Sequence, residues 1–142
     1  MILETKRLIL RRPRKSDWKD IVDGIGDRRV SENVASAPYP YKKKNALKWV
    51  ATSTKEWKKK DKKDYTFFIE LKSEKKVIGA TGIHRVNKFQ GVATTGSWVN
   101  RKYWRKGYIL EAKVPVLDFA FDKLKLRRIE TAAHINNIAS NS

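Results

Sequence analysis

The amino-acid sequence predicts a mixed α/β fold, one twisted sheet with helices packed on it. Three observations carry this expectation. The segments follow the order strand, two helices, three strands, helix, strand. Apolar residues in the helical segments recur at i, i+3, i+4 and i+7, whereas the strand segments are short and bounded by turn residues. The last two strands are joined by a helix, which requires a parallel pair with a right-handed crossover. At 142 residues the chain is long enough for one core, so a single domain over 1–142 is expected.

Leu3 to Arg12 has an apolar centre flanked by charge and stops at Pro13, which reads as one strand. Ser16 is placed to cap a helix with Asp17 in its first turn, and Trp18, Ile21, Val22 and Ile25 share a face. Gly24 and Gly26 loosen its end. The Gly-x-Gly there follows no strand, so it is not read as a nucleotide loop. Pro38 and Pro40 enforce a loop. Asn45 then opens a second helix, with Leu47, Val50, Ala51, Thr54 and Trp57 as its stripe.

Strands are expected at Tyr65–Leu71, Val77–Arg85 and Val92–Val99, the first two joined by a hairpin loop over Lys72–Lys76. A third helix covers Leu110–Leu124, with Leu110, Val114, Leu117 and Phe121 on one face. Pro115 lies inside it, cannot donate to the Glu111 carbonyl, and would cost about 3 kcal/mol unless a kink accommodates it. Arg128–Ile135 is the last strand, and Asn136–Ser142 begins what looks like another helix.

Charge is the strongest compositional feature: 33 Lys and Arg against 15 Asp and Glu, formally +18. Such an excess concentrates polyanions near the surface, and RNA, ribosomes, an acidic protein or a phosphorylated cofactor all fit. There is no cysteine, which excludes disulfides and thiolate chemistry and fits a cytoplasmic protein. No apolar run is long enough to span a bilayer, so no membrane role is expected. No residue spacing suggests a metal site.

The segment Arg101-Lys102-Tyr103-Trp104-Arg105-Lys106-Gly107-Tyr108 joins a strand to a helix. A helix start presents unpaired N–H groups and a partial positive charge, and so binds anions without a dedicated side chain. Gly107 allows close backbone approach, and Arg101, Lys102, Arg105 and Lys106 add charge. The position lies beyond the carboxyl end of a strand, where ligands of such sheets tend to bind. Phosphate binding is the chemistry this pattern suggests.

The order of motifs resembles the GNAT N-acetyltransferases, in particular the RimJ/RimL-like branch that acetylates ribosomal-protein N-termini. Glu4-Thr5-Lys6-Arg7-Leu8-Ile9-Leu10-Arg11 is similar to the family's opening. Val77-Ile78-Gly79-Ala80-Thr81-Gly82-Ile83 is similar to its glycine-containing strand, and Trp98 to Ala112 to its strand, YWGKGY loop and EA helix. Phe119-Ala120-Phe121, Leu126-Arg127-Arg128-Ile129-Glu130 and Asn137-Ile138-Ala139-Ser140 follow in the family's order. The resemblance implies a central mixed sheet flanked by helices and acetyl-CoA as co-substrate. Its diphosphate would lie on the backbone of Arg105, Lys106, Gly107, Tyr108 and Ile109, and its pantetheine arm along Trp98, Val99 and Asn100. Asn137 and Ser140 would stand near the thiol, with Ser140 protonating the leaving thiolate. Arg105 stands where the family loop has glycine, Thr94 where relatives often carry Glu, and Ile109 where it has glycine or alanine, so the larger β-branched side chain is expected to crowd the ligand's close approach. The family's further C-terminal helix and strands have no counterpart after Ser142, so the domain is expected to be C-terminally incomplete; a fragment, or a partner supplying the missing part, would each explain it, and a homodimer stays open.

The implied reaction is direct attack of an amine on the thioester. An N-terminal amine, with pKa about 7.7–8.0, is roughly 10% neutral at pH 7, against about 0.04% for lysine, so an α-amine needs less help. Backbone N–H groups near Trp98 and Val99 could hold the oxyanion, with a bulge at Gly96 aiming them. Neither His84, on a strand, nor His134, near a strand end, is marked as catalytic by its neighbours in the chain. The expected acceptor is the N-terminus of a ribosomal or acidic protein. Two alternatives stay open: a small-molecule amine, and a non-catalytic RNA- or ribosome-binding module on a degenerate scaffold.

Overall fold

The structure is a computed structural model that describes residues 2–32, 34 and 37–131. Six strands form a sheet in sequence order: β1 (Ile2–Glu4), β2 (Leu8–Arg11), β3 (Tyr65–Leu71), β4 (Lys76–Asn87), β5 (Val92–Val99) and β6 (Arg128–Thr131). All neighbours are antiparallel except β5 and β6, which pair in parallel as the helical connection requires. Helices α1 (Trp18–Ile25), α2 (Arg28–Ser31), α3 (Lys43–Trp57) and α4 (Tyr108–Asp122) complete the described fold.

The expected first strand is two strands. Thr5 turns the chain: its N–H donates to the Leu8 carbonyl at 2.9 Å, and its Oγ1 accepts from the Leu8 N–H at 3.1 Å. Ser16 does not cap α1. Lys15–Asp17 form a 3-10 turn, and the Asp17 carboxylate accepts from the Arg14 N–H at 2.8 Å. Asn45 does not open α3 but sits in its first turn, where its side chain accepts from the Lys42 N–H.

The sheet buries apolar side chains on both faces. Leu8, Leu10, Phe67, Ile69, Ile83, Ala93 and Val99 pack with α4 residues on one side. Phe68, Val77, Ala80 and Trp98 pack with α1 and α3 on the other. Trp57, at the end of α3, reaches the α4 side, where its ring meets Tyr65 and Phe67 edge-on and its Nε1 donates to the Thr66 carbonyl at 2.8 Å. In α3 the buried stripe is Ala46, Val50, Ser53 and Trp57; Leu47 and Thr54 are only partly covered and Ala51 is exposed. Gly24 does not loosen α1; it lies within the helix against Trp98, and a Cβ there would stand 2.6 Å from the indole.

Helix α4 runs unbroken through Pro115 and buries Ile109, Ala112, Val116, Phe119 and Ala120. Leu110 (60% exposed), Val114 (61%) and Phe121 (42%), expected to share one apolar face, point outward. Arg11 ties β2 to α1 and β3 from inside: it holds Asp17 through two bonds of 2.9 and 2.8 Å and Glu70 through one of 2.8 Å. Burial opposes its charge, but the bonds to Asp17 and then Glu70 raise its pKa.

Candidate functional site

The loop after β5 is built by side chains that close on the backbone. The Asn100 N–H donates to the Ile78 carbonyl, and its side-chain oxygen accepts from the Lys102 N–H at 3.0 Å, capping a 3-10 turn over Arg101–Tyr103. The Asn100 amide also donates to Asp23 at 3.0 Å, and Asp23 in turn accepts from Lys76 at 2.8 Å. The Lys76 bond, acting first and against burial, holds the Asp23 carboxyl below its usual range. The Tyr103 hydroxyl donates to Glu74 at 2.7 Å, and burial followed by that bond pushes it up to about 12. Trp104 Nε1 donates to the Val99 carbonyl at 2.7 Å.

Two left-handed residues then aim the helix. Arg105 has φ 64° and Gly107 φ 77°, the latter as the N-cap of α4. No side chain caps this end, and the first helical bond is Glu111 N–H to the Gly107 carbonyl at 3.0 Å. The N–H groups of Tyr108, Ile109 and Leu110 precede it and have no partner inside the helix. With no side-chain cap on them among the described residues, they suit an anion. Ile109 does not crowd that end; its side chain is 1% exposed and packs in the α4-side core.

A brace from the β1–β2 turn supports the loop. Thr5 Oγ1 and the Arg7 N–H both donate to Glu111 Oε2, at 2.5 and 2.9 Å. Arg7 Nε donates to Glu111 Oε1 at 2.6 Å, and Arg7 Nη2 to the Lys106 carbonyl at 3.0 Å. The Arg7 guanidinium also lies 4.4 Å from the Tyr108 ring centre. Burial pushes Glu111 up, but the bonds from Thr5 and Arg7 outweigh it and hold the carboxyl below its usual range. These three residues were not singled out as site residues from sequence. The cue was the joint presence of the Glu-Thr-x-Arg opening and the Glu-Ala helix start, which the fold brings together over a separation of 106 positions for Thr5 and Glu111.

The remaining expected site residues fall as follows. Trp98, Val99 and Asn100 are buried, at 5%, 2% and 3% exposure, so their side chains build the core and the loop. Trp98 Nε1 has no hydrogen-bond partner among the described residues. Among the described residues, the β6 side of β5 is unpaired past Thr95. Pairing with β6 runs from Val92 to Thr95 opposite Arg128 to Thr131, and Gly96 to Val99 lie beyond those rungs. Opposite β4, Gly96 pairs with Gly82 without a bulge; the irregularity lies at His84–Asn87, where Arg85 has φ 53°. Arg105, Lys106 and Gly107 form the turn before α4, with Tyr108 half-buried at its start. Asn137, Ser140 and His134 lie outside the described residues, as does the predicted strand beyond Thr131.

On the α1 and α3 side a cleft of ≈ 470 Å³ is lined by Ile25, Tyr41, Asn45, Lys48, Trp49 and Thr52, among others. Its floor residue Trp49 stacks obliquely on Phe68 and Trp98, with ring centres 5.1 and 6.3 Å apart. Among the described residues no group of three or more His, Cys, Asp or Glu could hold a metal. No described helix is long and apolar enough to cross a membrane.

Comparison with known proteins adds the family. A curated relative, the uncharacterized N-acetyltransferase p20 of Bacillus licheniformis, is 34% identical over 74 residues, 52% of this chain and 42% of that protein. The match thus spans less than half of the relative's length. Among solved structures, a ribosomal-protein-S5-alanine acetyltransferase from Vibrio fischeri superposes with a TM-score of 0.82 at 18% identity, covering 99% of this chain and 78% of that one. RimL, a ribosomal L7/L12 α-N-protein acetyltransferase solved with coenzyme A, gives 0.82 at 14% identity over 99% and 79%. At these identities the likeness shows the fold. The sequence profile of the Acetyltransferase (GNAT) domain matches residues 7–142, and the chain belongs to that family.

Proposed function

We propose that this protein is an acetyl-CoA-dependent N-acetyltransferase whose acceptor is the N-terminal α-amine of a protein, ribosomal or acidic in character. The observation that carries the reading is the uncapped start of α4, behind left-handed Arg105 and Gly107 and braced by Arg7 and Glu111. Three N–H groups without a helical partner and the basic side chains of the loop fit the diphosphate of acetyl-CoA in charge and shape. The β5 edge from Gly96 to Val99 supplies backbone groups for the pantetheine arm and the thioester oxygen. Family membership supports the donor, and the names of the ribosomal-protein acetyltransferases among its structural neighbours support the acceptor class.

The +18 charge disfavours polycationic acceptors and favours an acidic protein tail or a protein seated on RNA. The same charge is what favours the second reading, an RNA- or ribosome-binding module without catalysis. Calorimetric titration with acetyl-CoA separates the two. Micromolar binding, weakened at least tenfold by Gly107→Val, supports the enzyme, because a β-branched side chain at φ 77° disturbs the turn and intrudes on the anion's approach. No binding of acetyl-CoA, alongside tight and salt-sensitive RNA binding, supports the module.

A further inference from the structure

The fold places His84 where Thr94 leaves a gap. The two residues are register partners on β4 and β5, so both side chains rise from the same face of the sheet, the face of Trp98. The next rung whose residues face this side is Gly82 opposite Gly96, which carries no side chains. Among the described residues a Cβ on Gly96 would meet nothing within 4 Å, so the Gly96 half of this rung is open there, whereas a Cβ on Gly82 would stand 2.4 Å from the Tyr65 carbonyl oxygen. The His84 ring leans over the Gly82 half: Cε1 and Nε2 both lie 3.1 Å from where a Gly82 Cβ would stand. The other ring nitrogen, Nδ1, is 3.2 Å from Asp64 Oδ1, and the Arg85 N–H donates to the same carboxylate oxygen at 3.3 Å.

This arrangement fixes a tautomer. With Nδ1–H donating to Asp64, Nε2 carries the lone pair at the Gly82 end of the rung. We propose that His84, oriented by Asp64, is the general base for the acceptor amine, working from β4 across the strand pair from Thr94. The proposal rests on the acetyltransferase reading above. From the Gly82–Gly96 rung to the Ala80–Trp98 rung is two residues, about 6.8 Å along the strand, enough for an amine with at most one relaying water. Burial, the larger influence, keeps the imidazole pKa below 6.5 against the pull of Asp64, with Arg85 adding to the lowering. Thr94, facing it from β5, is uncharged and donates its hydroxyl to the His84 carbonyl at 3.3 Å. The ring is therefore neutral at pH 7.

In the step, Nε2 takes a proton from the incoming ammonium, and the freed lone pair forms the C–N bond at the thioester carbonyl. The C–S bond breaks with its electron pair on sulfur. The second proton lost by nitrogen goes to the thiolate, and the imidazolium returns its own to solvent. The products are amide, free thiol and one proton.

The test measures acetyl transfer to an N-terminal peptide amine by thiol release between pH 5 and 9. In the wild type, kcat/KM should fall only below the lowered histidine pKa. In His84→Gln it should drop about 10²-fold at pH 7, with the KM for acetyl-CoA unchanged. The acid limb should move up to the amine's own pKa, about 7.7–8.0, because solvent must then supply the neutral amine. Asp64→Asn, losing the raising influence, should move the limb down. Added imidazole should restore part of the activity of His84→Ala. Wild-type rate and limb in His84→Gln, with the fold intact by thermal unfolding, overturns the role of His84 and leaves the acetyltransferase reading standing. Absence of transfer to any amine by the wild type overturns both.

Discussion

At the residue scale, Arg105 shows how a departure from a family pattern can be read in energy. Its φ of 64° is the left-handed conformation, which costs an ordinary L-residue about 1–2 kcal/mol and glycine almost nothing. That explains why glycine is usual at this place in the loop. Arg105→Gly should therefore stabilise the fold, by about 0.5–1 kcal/mol after glycine's greater unfolded-state entropy is subtracted, seen as a higher urea midpoint at unchanged slope. It should also weaken acetyl-CoA binding a few-fold in calorimetry, since an exposed cation is lost beside the helix start. The two effects run in opposite directions, and both must appear. Sequence reading identified the substitution but could not tell that the backbone stays in place, because φ is a property of the closed loop. Ile109, expected to crowd the ligand, is instead turned into the core by the first turn of α4.

At the element scale, α4 separates what a pattern can give from what packing decides. Its existence, its basic entrance and its parallel crossover to β6 were all legible. Its inner face was not, because Tyr108–Asp122 is apolar on more than one side and two stripes satisfy helical spacing equally. The sheet selects the stripe that starts at Ile109, with Ala112 and Ala120 allowing close contact, and leaves Leu110, Val114 and Phe121 outside. The single strand expected over Leu3–Arg12 failed for a related reason: the turn at Thr5 is held by Glu111, too distant in sequence to register. That brace gives a pH-dependent prediction. The folded pKa of Glu111 lies below its ordinary 4.5, so the carboxylate adds stability above pH 4.5 and the contribution is lost as pH falls through the folded value. Glu111→Gln should thus lower stability at pH 7 by about 1–3 kcal/mol, the cost of stranding the charged and polar donors of Arg7 and Thr5. Against the wild type, that deficit should shrink steadily below pH 4.5 when urea midpoints are followed. A deficit constant with pH would mean that the brace acts by shape and not by charge.

At the scale of the whole molecule, the charge balance sets how the protein answers to salt and to anions. A net +18 on 142 residues repels itself, and the described ion pairs include many at the surface, where each contributes little. Raising ionic strength from 10 to 200 mM shortens the screening length from about 30 Å to below 10 Å, which removes more repulsion than attraction. The melting temperature should therefore rise with sodium chloride, by about 4 °C for each kcal/mol of repulsion relieved. General screening and specific binding can be told apart by a second anion. At constant ionic strength, inorganic pyrophosphate should add a further, saturable increase, because it occupies the N–H groups at the start of α4 that have no helical partner and binds only the folded state. Gly107→Val should keep the chloride response and lose the pyrophosphate increment. If pyrophosphate instead stabilises both proteins equally, the anion is being held by the lysine-rich surface at large. The helix entrance would then have no claim to be the donor's phosphate site.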